Sequence, residues 1–197
     1  MSQQSHRSST LSAGIGLAFF LAAGVAAAQG TSPPSASNMK AGATASIPAA
    51  DKAFVEKAAV GGLAEVNMGK MALEKGSSDQ VKQFGARMVE DHSKANDELK
   101  QIASSKGITL PTDLDAKHKA KMDKMQKLSG AQFDRAYMDD MVADHKQDVA
   151  EFKKEASSGK DSEVKSFAAK TLPTLEDHLK MAESTDAAVK GSKSASR

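Results

Sequence analysis

Residues 130–157 read GAQFDRAYMDDMVADHKQDVAEFKKEAS. An α-helix advances about 100° per residue. On that wheel Tyr137, Met138, Met141, Val149, Phe152 and Ala156 fall on one face, with His145 at its centre and Asp144 beside it. The stretch has no strand-like alternation, so it reads as an amphipathic helix that buries one stripe. A buried imidazole needs a partner, and a helix cannot bury a stripe alone. The segment therefore predicts a helical bundle with polar groups inside it.

The same pattern recurs. MVEDH occupies 88–92, MVADH occupies 141–145, and LEDH closes at His178. The chain has 5 histidines, and three of them follow an aspartate. Helical periodicity with scarce β-branched residues extends over 51–75, 78–106 and 161–189 as well, and a short helix is expected over 113–127. Asp51 is expected to cap the first helix, and Gly76, Gly107 and Gly159 to end the first three long ones. Ser77–Gln80 and Ser129–Gln132 have the capping-box pattern. Pro173 predicts a bend in the last helix. Val81-Lys-Gln-Phe84 and Val164-Lys-Ser-Phe167 open two of the helices alike, as a duplicated hairpin would.

On the first helix Phe54, Val55, Ala58, Gly62, Val66, Gly69, Ala72 and Leu73 form the expected inner face, and Glu65 falls within it. His92 lies mid-face on the second helix, and His178 lies within the face of the last. One glutamate and three histidines thus point toward a common interior. Asp91, Asp144 and Asp177 sit one residue earlier, about 100° around each helix, where each could orient a histidine on a neighbouring helix. In an up-down-down-up bundle the four inner groups lie within about 6 Å of one height, and in a simple up-and-down bundle they spread further. The long connection at 107–129, carrying the short helix, suits the same topology, because it can run the bundle's length.

Residues 1–10 are polar with Arg7, and 11–28 (LSAGIGLAFFLAAGVAAA) are uncharged and end in small residues, as a cleaved secretory signal does. A retained anchor is the other reading of that stretch. Residues 29–50 are small, polar and proline-bearing, and are expected to be a disordered linker before a single domain at 51–189, with a frayed tail at 190–197. With no cysteine, no disulfide forms. The net charge is +2 and the charges are interleaved, which argues against nucleic acid as a partner. The expected location is the periplasm or outer envelope, with an envelope protein or membrane as partner. The sequence leaves the oligomeric state open.

AAVGGLAEVNMGKMALEKG at 58–76, VKQFGARMVEDHSKANDEL at 81–99, FDRAYMDDMVADHKQDVAEF at 133–152 and VKSFAAKTLPTLEDHLKMA at 164–182 together resemble a ferritin-like domain family of unknown function from Gram-negative bacteria. Its members are labelled as exported or outer-membrane proteins. The resemblance implies an all-α, ferritin-like up-down-down-up four-helix bundle with a short extra helix in its long crossover. It implies no established activity. True di-iron proteins of this shape carry a Glu-x-x-His motif on two helices. Here Val89 and Leu175 stand three residues before His92 and His178, so a two-iron site is not expected.

Three function classes remain. Glu65, His92, His145 and His178 could form a buried hydrogen-bonded network with a mainly structural role, which is the first expectation. They could instead bind one divalent transition metal, zinc, iron or copper, with Met88 and Met141 one turn before two of the ligands. Nothing resembles a nucleophile elbow or a phosphate loop, so an enzyme is the least expected class. His118, on the apolar side of the short helix, has no assigned role.

Overall fold

The computed structural model describes residues 46–191. The leader, most of the linker and residues 192–197 lie outside the described residues. Five helices follow one another: α1 (Ala49–Lys75), α2 (Asp79–Ser105), α3 (Ala116–Gln126), α4 (Gly130–Ser158) and α5 (Ser162–Gly191). The expected spans hold to within about three residues. The largest difference is α3, which begins late because Asp115 caps it, accepting from the His118 backbone N–H at 2.8 Å.

The helices pair as two hairpins, α1 with α2 and α4 with α5, and α3 packs on α1 and α4. Contacts at the ends fix their directions. Lys57, early in α1, pairs with Glu151, late in α4, and Lys75 at the end of α1 donates to the Gln126 carbonyl at 2.7 Å, just before α4. Lys106, after α2, pairs with Asp161, before α5, at 2.8 Å. So α1 runs antiparallel to α4, and α2 runs antiparallel to α5.

Two apolar clusters fill the space between the hairpins. One holds Met68, Met71, Phe84, Met88, Phe133, Tyr137, Met138 and Met141. The other holds Val55, Leu99, Ile102, Val164 and Phe167. α1 buries part of the expected face, Val55, Gly62, Glu65, Gly69 and Ala72, but Leu73 is 44% exposed, whereas Met68 and Met71 are buried. The reason is that apolar residues of α1 occur around most of its circumference, so the sequence pattern leaves its rotation undetermined. α1 and α2 also approach very closely. A Cβ on Gly69 would lie 2.7 Å from the Gly85 carbonyl oxygen, and one on Gly85 would lie 2.7 Å from the Ala72 Cβ. Gly107, with φ of +65°, turns the chain out of α2, as expected of a glycine past a helix end.

The helix caps differ from the sequence expectation, and the difference has a common cause. Pro48 occupies the N-cap place of α1. The Asp51 carboxylate is 1% exposed and instead accepts the backbone N–H groups of Lys160 (2.9 Å) and Asp161, in the turn before α5. Asp134 on α4, 3% exposed, accepts the backbone N–H groups of Ser77 (3.0 Å) and Ser78 (2.9 Å) and the Ser77 hydroxyl, in the turn before α2. Ser78 and Ser129 hold N-cap positions without a side-chain hydrogen bond. Each hairpin therefore carries an aspartate that caps the turn of the other, which locks the two together. Removing Asp134 leaves the part-buried amides of Ser77 and Ser78 without this acceptor. Asp134→Ala should lower unfolding free energy by about 2–4 kcal/mol, measured by urea denaturation. A loss below about 0.5 kcal/mol would show that water serves these amides equally well.

Candidate metal centre

His92 on α2, His145 on α4 and His178 on α5 meet inside the bundle, 7%, 0% and 1% exposed. Their ring centroids lie 5.8 Å (His92–His145), 5.4 Å (His92–His178) and 5.4 Å (His145–His178) apart. Each offers one nitrogen to a group whose members all lie within 4.8 Å of one another. At that spacing three side chains can share one ion, whose bonds to imidazole nitrogen are about 2.0–2.1 Å long.

The neighbours of the rings decide which nitrogen carries a proton. His145 Nδ1 lies 2.9 Å from the Met141 carbonyl oxygen, which can only accept, so Nδ1 is the protonated nitrogen. His178 Nε2 lies 2.9 Å from Asp91 Oδ2, so Nε2 donates there. The remaining nitrogens, His145 Nε2 and His178 Nδ1, are buried lone pairs with no hydrogen-bond partner; His92 Nε2 is likewise buried without a partner, and no hydrogen bond to its ring selects its tautomer. Metal-ligating histidines are oriented in this way, one nitrogen anchored to a carbonyl or carboxylate and the other free. Burial favours the uncharged rings. It pushes His92 well below the ordinary imidazole value, with repulsion from His145 and His178 adding to it. Burial also lowers His145 and His178, against the opposing pull of Asp148 and Asp91 respectively.

Asp91 occupies the orienting position expected of it. Burial opposes its charge, but hydrogen bonds from His178 and Arg87 outweigh that and hold the carboxylate below its usual range. The other two aspartates do not orient a histidine. Asp144 pairs with Lys121 at 2.6 Å, and Asp177 is exposed and pairs with Lys180 at 3.1 Å. A one-residue offset fixes the direction in which a side chain leaves its helix. It does not fix what stands there. On the α3 side Lys121 intercepts Asp144, and Asp177 faces solvent beside Lys180 of its own helix.

Glu65 is buried, as expected, at 3% exposure, but it stands outside the close group of nitrogens and bonds to none of the histidines. It lines a cleft of about 80 Å³ together with His92, Asp144, Asp148, His118 and Glu151. Burial raises its carboxyl to about 8, with Asp144 and Asp140 adding to the effect and Lys121 opposing it. Asp148, one turn beyond His145, has no sequence-level assignment; burial and then the charge of Glu65 raise its carboxyl too. Its spacing from His145 was the available signal. Met88 and Met141 sit in the apolar cluster with Phe84 and Tyr137. His118 binds Asp115 Oδ1 through Nδ1 at 2.8 Å.

Known proteins resemble this chain mainly in fold. No curated protein matches it in sequence. A solved DUF305 fragment from Deinococcus radiodurans superposes with a TM-score of 0.64 at 13% identity, covering 72% of this chain and 97% of its own. A DUF305 protein of Streptomyces coelicolor, described as secreted, gives 0.62 at 15% identity, with 72% and 92% coverage. CopM in its Cu(II)-bound form gives 0.59 at 16% identity, with 69% and 95% coverage. At such identities the likeness establishes a shared helical fold. In sequence, residues 36–185 of the 197 match a defined family, and the chain belongs to it: the domain of unknown function DUF4142.

Proposed function

We propose that the chain is an exported helical module that holds one copper or zinc ion through His92, His145 and His178. The observation that carries this reading is the convergence of three buried imidazole nitrogens, none with a hydrogen-bond donor opposite it. A structural network would pair donors with acceptors. In this cluster two acceptors, His145 Nε2 and His178 Nδ1, and the buried His92 Nε2 face one another without a hydrogen bond among them, an arrangement that a cation satisfies. Imidazole suits zinc and copper, and the absence of cysteine leaves nitrogen as the principal donor. That CopM has been solved with Cu(II) and with Ag bound supports the same chemistry on a related fold.

In this reading the ion supplies the positive charge and the protein supplies the geometry. Met141 and Asp91 set the two anchored rings, and Arg87, donating to Asp91, fixes Asp91 in turn. Phe84 meets His145 edge-on at 6.2 Å between centroids, so apolar contact limits water around the nitrogens. The directions of the helices fit ferritin-like up-down-down-up connectivity, and Glu65 lines the cleft beside His92. The signal-like residues 1–28 and the secreted DUF305 relative support export. No helix among the described residues is long and apolar enough to cross a membrane.

The test is metal uptake by the purified full chain, followed by titration calorimetry with Zn(II) and Cu(II) and by elemental analysis after dialysis. The expected result is one equivalent bound at micromolar concentration or tighter. A helical protein that retains no metal would refute the reading and return the cluster to a purely structural role.

A further inference from the structure

The cleft beside the imidazoles contains two carboxyl groups that form no ion pair among the described residues. Its other acids are neutralised. Asp144 takes Lys121 at 2.6 Å, and Lys121 also takes Asp140 at 2.8 Å, just behind the cleft. Glu151 takes Lys57 and the Gln147 side-chain amide, and Lys117 lies near it. Glu65 and Asp148 have neither a hydrogen bond nor an ion pair among the described residues, and Glu65 Oε2 is buried without a donor. They come from α1 and α4, and both line the cleft. Tyr137, whose hydroxyl is also buried and unpartnered, stands close enough for the charge of Glu65 to push its phenol further above the usual value, after burial.

Two carboxyl groups lining one cleft, near enough for the charge of Glu65 to act on Asp148, offer several oxygen donors. Oxygen donors select hard cations, whereas the imidazole nitrogens behind them select zinc and copper. We propose that Glu65 and Asp148 form a second cation site, distinct from the three imidazoles, that takes a hard divalent ion of the Mn(II) class. This goes beyond the imidazole reading and does not depend on it.

The experiment titrates the full chain with Mn(II) at pH 8 and follows free Mn(II) by electron paramagnetic resonance. Three proteins are compared: wild type, Glu65→Gln/Asp148→Asn and His145→Ala. The wild type and His145→Ala should each bind one Mn(II), and the double variant should bind at least about tenfold more weakly. Circular dichroism monitors folding; should the double variant lose helicity, Asp148→Asn alone, on a half-buried residue, provides the comparison. Absence of Mn(II) binding by the wild type overturns the proposal. So does equal binding by the double variant, which would place the ion on other surface acids. Loss of Mn(II) in His145→Ala also overturns it, because oxygen and nitrogen donors would then form one centre. Zn(II) uptake is measured on the same samples. Zn(II) bound without Mn(II) sinks only the second site, and Mn(II) bound without Zn(II) sinks only the imidazole site.

Discussion

His145→Ala should weaken zinc or copper binding by about a thousandfold or more, roughly 4 kcal/mol on the affinity scale. The loss is large because only two nitrogens remain, on two separate helices. Asp91→Ala keeps all three nitrogens but removes the acceptor that fixes His178 and leaves Arg87 without its partner. Loss of such an orienting group typically lowers metal affinity about 10–100-fold. The ordering matters more than either value: wild type, then Asp91→Ala, then His145→Ala. A metal bound at 100 times its dissociation constant should stabilise the wild type by about 2.7 kcal/mol. Thermal unfolding with and without Zn(II) therefore reads the same ordering independently of calorimetry. Equal shifts in all three proteins would place the ion elsewhere.

Glu65→Gln should stabilise the metal-free protein in alkaline solution. The ordinary carboxyl value is 4.5, and burial, with Asp144 and Asp140 adding, raises Glu65 to about 8. The folded chain thus keeps a proton that the unfolded chain has released. Stability from this group is complete below pH of about 4.5 and is lost as pH rises toward 8. Between pH 6 and pH 8.5 the wild type should lose about 2–3 kcal/mol through Glu65 alone, and the glutamine variant should not. The advantage of the variant over the wild type should therefore grow by that amount across the interval. Urea midpoints at the two pH values measure it. An advantage independent of pH would mean that Glu65 is ionised in the fold at pH 6.

Both outcomes bear on how much could be read from the residues. His92, His145 and His178 were placed correctly from periodicity, because each lies deep in a long helix where small errors in the ends do not rotate the face. Glu65 was correctly read as buried. Its expected pairing with the histidines is not formed, because His145 and His178 turn their hydrogen-bonded nitrogens to the Met141 carbonyl and Asp91 instead. Asp51 reads in sequence as the cap of its own helix, and Asp134 has no reading from sequence. Their work is done across the hairpin boundary, where sequence spacing carries no signal. The same limit explains Asp144: only the fold reveals that Lys121 of α3 stands beside it. Asp148 was readable in principle, one turn beyond His145, but nothing in the sequence distinguished it from a solvated acid.

The most direct measurement is ¹⁵N nuclear magnetic resonance of the imidazole side chains with and without one equivalent of Zn(II). Without metal, His145 should carry its proton on Nδ1 and His178 on Nε2. With metal, His92 Nε2, His145 Nε2 and His178 Nδ1 should all move to metal-bound shifts, and His118 should stay in place. Unchanged resonances in those three rings at saturating zinc, or a change confined to His118, would contradict the assignment of the centre.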